Sequence, residues 1–152
     1  MEKIKVGLLT MSDGREYLHQ DYIQLNMDYQ QEIKEALEST GLFQVTAGDM
    51  PLHSNEEAKR EAMKLQKAGV EATIFNYTIW CYPQFTAVAQ NFAPGPYLLF
   101  CNLHPSECGM VGMMAAAGTL EQLNVKFQKL WGSVKEPEVL SKMVDFLRAA
   151  AA

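Results

Sequence analysis

The sequence predicts an α/β domain: one sheet of five parallel strands with helices on both faces. Three observations carry that expectation. Strand and helix patterns alternate five times along the 152 residues. Several strands are near-continuous apolar runs, as strands covered on both faces are. Glycines, prolines and capping residues fall at the joints between the patterns. A chain of this length makes one domain and can bury a sizeable core.

The elements follow in order. Residues 3–10 read as a buried strand, with Val6, Leu8 and Leu9 apolar, ending in Ser12-Asp13-Gly14. Leu25, Tyr29, Ile33, Ala36 and Leu37 then share one helical face, and Gly41 supplies a stop. Residues 43–47 form a short second strand. Ser54 and Glu57 make a capping box, in which Ser caps and Glu reaches back. Ala58, Ala62 and Leu65 continue that helix to Gly69. Residues 71–77 are a third strand, and Pro83 opens a short helix to about Gln90. After the break at Pro94-Gly95-Pro96, residues 97–101 are a continuous apolar strand. Residues 109–123 form a helix of small residues, residues 125–131 a fifth strand, and Pro137 opens a last helix with Leu140, Met143, Val144 and Leu147 on one face. A flavodoxin-like, three-layer, doubly wound sheet fits this order best. Arg148 is followed by four alanines with no cap and no stop residue. Residues 1–152 are therefore expected to be one domain of a longer chain, cut within its last helix.

Composition narrows the function. Apolar residues make up 48% and charged residues 20%, which is ordinary for a globular chain and excludes disorder. The net charge of −5, without a basic run, leaves no electrostatic footprint for nucleic acid or an anionic membrane. No apolar run is long enough for a membrane span, and residues 1–6 enter a strand without a signal-peptide core. Three cysteines without framework spacing point to a reducing, cytoplasmic setting.

In an open parallel sheet, ligands bind beyond the carboxyl ends of the strands. The loops there carry Arg15, His53, Trp80, Tyr82, His104 and the cysteines. Arg15 could grip a hydroxyl or an anion with its planar fork. On residue type alone, a surface arginine paired with Asp13 or Glu16 is the stronger reading. Trp80 could stack on the C–H face of a sugar or fill the core. His104, Glu107 and Cys108 lie close together but match no zinc spacing, and a helix-capping loop accounts for them. His53 reads as a helix-entry residue, and Gly109 and Gly112 are only a weak anion-binding signal. Gly-x-Gly-x-x-Gly, a Walker loop, a flavodoxin phosphate loop, a receiver aspartate and a Ser-His-Asp arrangement are all missing.

The chain resembles the first domain of the L-fucose isomerase family. Three places carry the resemblance: Lys5-Val6-Gly7 leading to Asp13-Gly14-Arg15; Trp80-Cys81-Tyr82 after the third strand; and Asn102 followed by the small-residue run from Gly112 to Gly118. The resemblance implies a cytoplasmic, manganese-dependent parent that interconverts aldoses and ketoses through an enediol. It implies that the Mn2+ ligands lie in later domains, so neither a catalytic residue nor a metal ligand is expected in this chain. It implies that Arg15 and Trp80 contribute to the sugar pocket of a neighbouring subunit in a homo-oligomer, a hexamer in the family. Tyr82 and Asn102 share motif positions without an assigned role. The expected partners are thus a monosaccharide and neighbouring subunits. Two other readings remain open: a stand-alone small-molecule binding or sensor domain, and a flavin or nucleotide domain, against which the missing phosphate loop counts.

Overall fold

A computed structural model describes residues 2–152. Ten elements alternate: β1 Ile4–Met11, α1 Glu16–Ser39, β2 Phe43–Ala47, α2 Asn55–Ala68, β3 Ala72–Tyr77, α3 Pro83–Ala89, β4 Tyr97–Asn102, α4 Gly109–Gln122, β5 Phe127–Gly132 and α5 Pro137–Ala151. The strands form one all-parallel sheet in the order β2-β1-β3-β4-β5. That is the flavodoxin-like order, and its direction reverses between β1 and β3.

Alternation along each strand sorts the core onto two faces. Leu9, Met11, Phe75, Tyr77, Leu99 and Cys101 point to one face, where α2, α3 and α4 cover them. Val6, Leu8, Ala72, Ile74, Leu98 and Phe100 point to the other, beneath α1 and α5. Both sides of the central strands are therefore apolar, which is why they read as continuous runs.

Local chemistry explains the element ends. α2 starts at Ser54, whose Oγ accepts from the Glu57 N–H at 3.2 Å. Gly69, with φ of 70°, ends it in a left-handed cap. Glu71 lies outside β3: its carboxylate accepts the Lys5 N–H at 3.0 Å. The fifth strand starts two residues later than the pattern suggests. Asn124 takes φ of 57° and the Val125 N–H donates back to the Leu120 carbonyl at 3.0 Å. Val125 therefore belongs to the cap of α4 rather than to β5.

Helix α1 reaches a full two turns ahead of its first apolar marker, Leu25. Its buried positions run His19, Asn26, Gln30, Ile33 and Leu37. The spacing is helical, but the first three side chains are polar, so an apolar count misses them. This polar half of the helix lies over the carboxyl end of the sheet, where the loops gather.

Candidate functional site

The reversal between β1 and β3 opens the crevice in which ligands of such sheets bind. Two loops flank it, residues 12–15 after β1 and residues 78–82 after β3. They touch directly: a Cβ on Gly14 would lie 2.7 Å from the Tyr82 ring, so only glycine lets the two loops close. Tyr82 in turn stacks on Phe85 with ring centroids 5.7 Å apart.

Arg15 is clamped. Asp13 is buried, and its carboxylate accepts from Arg15 Nε at 3.0 Å, from Arg15 Nη2 at 2.8 Å and from the Arg15 backbone N–H at 2.9 Å. Burial alone would raise the Asp13 carboxyl. The hydrogen bonds and charge of Arg15 outweigh it and hold the group below the usual carboxylate range. The expected pairing of Arg15 with Asp13 is therefore present, yet it does not exhaust the arginine. The side chain is 47% exposed. Asp13 occupies only the Nε/Nη2 edge of a five-donor fork, so Nη1 stays available to solvent or ligand. Pairing and gripping are compatible: the buried carboxylate fixes the guanidinium in one orientation and keeps it charged.

Trp80 is not a core residue. It is half-buried and belongs to neither hydrophobic cluster, whereas its neighbours Ile79 and Cys81 are buried. The Cys81 thiol lies 3.3 Å from the Met11 carbonyl oxygen and 2.9 Å from that of Ile79, and burial pushes its pKa up. The loop is thus pinned on either side of an indole left at the surface. α4 pins it from below. A Cβ on Gly109 would lie 2.8 Å from the Thr78 carbonyl oxygen, and one on Gly112 would lie 2.9 Å from the Cys81 nitrogen. These glycines serve helix-to-loop packing, and loop backbone occupies the space that an anion would need.

Asn102 lies behind this edge, buried, and its Oδ1 accepts from the Thr78 hydroxyl at 3.1 Å. It ties the end of β4 to the loop after β3 and stands at no surface. Asn76 donates to Thr10 Oγ1 at 3.2 Å, Thr10 donates to Gln30 Oε1 at 2.8 Å, and Gln30 donates to the Gly48 carbonyl at 2.9 Å. A buried polar layer thus underlies the loops. Asn26 Nδ2 and Oδ1, Asn76 Oδ1 and Asn102 Nδ2 have no protein partner among the described residues.

Two residues escaped the sequence reading, Tyr17 and His19. Tyr17 is 64% exposed and lies near the Arg15 guanidinium, as does Tyr82. His19 is buried, with Nδ1 2.9 Å from the Ser12 hydroxyl. His53 enters α2 as expected, but the capping box is modified. Glu57 reaches back to the His53 backbone N–H at 3.1 Å and to His53 Nδ1 at 2.7 Å, rather than to Ser54. His104 packs edge-on against Tyr29, with centroids 6.3 Å apart, so its loop lies on α1; the expected cap of α4 is not made by a side chain, since Cys108 at the N-cap position forms no such bond.

Among the described residues, no three His, Cys, Asp or Glu side chains stand where they could share a metal ion. Among the described residues, no helix is long and apolar enough to cross a membrane.

The fold and the clamped arginine define an α/β domain that presents polar and aromatic groups at the carboxyl edge of its sheet. The sequence profile described as L-fucose isomerase, first N-terminal domain, matches residues 3–152, so the chain belongs to the L-fucose isomerase family as that domain. No curated protein matches it.

Proposed function

We propose that this chain frames the sugar for an aldose–ketose isomerase without acting on it alone. Membership of the L-fucose isomerase family supports a sugar-isomerase parent. The observation that carries the finer reading is the Arg15–Asp13 clamp on the loop after β1, with half-buried Trp80 on the loop after β3, at the switch between the two strands.

Moving a proton between adjacent carbons of an open-chain sugar needs acid and base groups and a polarised oxygen pair. In the family reading, Mn2+ and its carboxylates lie in later domains of the parent. The chain's own contribution is to hold the substrate extended. Arg15, pre-oriented by Asp13, donates to a hydroxyl or to developing negative charge at the far end of the sugar. Trp80 covers the apolar C–H face. Tyr82 backs the loop through Gly14, and Asn102 holds the strand end beneath it. Orientation of this kind lowers the barrier through lost freedom already accounted for on binding. In the family reading the sugar pocket served by Arg15 and Trp80 belongs to a neighbouring subunit, so the proposed working form is a homo-oligomer, in the cytoplasm.

The test is kinetic, in the parent protein. Arg15→Ala and Trp80→Ala each reduce kcat/KM by roughly ten- to a hundredfold, the worth of one hydrogen bond from a charged donor or one stacked face. Metal content stays unchanged. Kinetics equal to wild type in both variants would make both residues structural and refute the reading.

A further inference from the structure

Beside the Asp13–Arg15 turn, two imidazoles lie face to face. The rings of His19 and His53 are 3.7 Å apart between centroids and within 6° of parallel. His19 stands on the first turn of α1 and His53 on the loop after β2. That loop is sewn to the end of β1 by reciprocal backbone bonds, Ser12 N–H to the Leu52 carbonyl and Leu52 N–H to the Thr10 carbonyl, both at 2.8 Å. The His19–Ser12 hydrogen bond closes a ring of chain from Ser12 to His19 that contains Asp13, Gly14 and Arg15. The stack then fastens that ring to the neighbouring loop.

The two rings have unlike surroundings. His53 has a carboxylate oxygen at each nitrogen: Glu57 at 2.7 Å from Nδ1 and Glu16 at 2.9 Å from Nε2. A carboxylate only accepts, so each nitrogen of this ring faces an acceptor for an N–H. His19 is buried and meets the neutral Ser12 hydroxyl. The titratable groups that face it are His53 from the loop after β2, Glu57 from α2, and Glu16 from α1 itself.

We propose that the stacked His19–His53 pair is a proton-operated latch that sets how firmly the Arg15 loop is held. Protonating His19 does not break its bond to Ser12, because a hydroxyl accepts as well as donates. It places a second cation face to face with the first. The rings must part, and the first turn of α1, with Glu16 and Arg15 at its start, moves off the loop after β2. Burial, then the charge of His53, lowers the His19 pKa, while Glu57 and Glu16 oppose them. The latch therefore stays shut at neutral pH and opens on acidification. The inference rests on the sugar-framing reading only for the use made of Arg15.

Nitrogen-resolved NMR of the chain across pH tests it without any sugar, so the latch and the framing role fail separately. The His19 ring should titrate below the 6.5 of an ordinary imidazole. The Arg15 Nε–H chemical shift, set by its bond to Asp13, should change at the same midpoint. His53→Gln removes the facing cation, so both midpoints rise together. If that variant does not fold, His53→Asn serves, with the same direction expected for both midpoints. An Arg15 signal that ignores the His19 titration, or a His19 midpoint unmoved by these changes, overturns the proposal.

Discussion

Asp13→Ala removes three hydrogen-bond acceptor contacts at once: those to Arg15 Nε, Nη2 and the backbone N–H. A hydrogen bond to a charged partner contributes about 1.5–3 kcal/mol, while an exposed ion pair contributes about 0–1 kcal/mol. Arg15 is 47% exposed, which places its side-chain contacts near the lower figure. The buried carboxylate and its backbone bond lie nearer the higher one. A loss of about 1–2 kcal/mol follows, or roughly 2–8 °C in Tm for a domain of this size. Thermal unfolding followed by circular dichroism at pH 7 measures it. The pH dependence gives the decisive control. The folded pKa of Asp13 is depressed. Its contribution is therefore complete above the unfolded carboxyl value of about 3.9 and is lost as pH falls through the folded value. Asp13→Asn keeps the side-chain shape and an acceptor for the Arg15 N–H but not the charge. Wild type should exceed Asp13→Asn at pH 7 and converge with it once Asp13 is protonated. A gap that persists undiminished at that acidity, or no gap for Asp13→Ala at pH 7, refutes the clamp as the origin of Arg15 order.

Two further outcomes follow from the packing. Gly109→Ala and Gly112→Ala each force a methyl group against loop backbone at 2.8–2.9 Å, and should destabilise the chain by about 1–3 kcal/mol in chemical denaturation. Gly118→Ala, with open space around it, should be neutral or stabilising and serves as the comparison. Alkylation of the native chain should label Cys108 alone. Cys108 is exposed, whereas Cys81 and Cys101 are buried, and burial pushes the Cys101 thiol up to about 12. Rapid labelling of Cys81 before unfolding would mean that the loop carrying Trp80 opens.

Much of the fold was legible because its signals are local. Runs such as Leu98-Leu99-Phe100 are apolar on both faces, Ser54 and Gly69 cap α2 within a few residues of themselves, and Pro83 starts α3. The errors at element ends have equally local causes. Asn124 and Val125 were spent on a helix cap, and Glu71 on the backbone of a neighbouring strand. The site was less legible. The inner face of α1 carries His19, Asn26 and Gln30 where apolar residues would advertise burial. Arg15 could be read either as an ion pair or as a ligand grip, because spacing in sequence does not say which edge of a guanidinium is occupied.

The sequence by itself determined the alternation of strands and helices, the two-sided burial of the strands and the small-residue character of α4, since each depends on neighbours a few positions away. Its motifs also pointed to the family. Only the tertiary structure decided that Gly14 meets Tyr82, that Gly109 and Gly112 hold the Trp80 loop, and that His19 finds His53. Those contacts join segments 31 to 68 residues apart. They form because a parallel sheet brings the ends of strands distant in sequence to a single edge, and no local pattern encodes which side chains meet there.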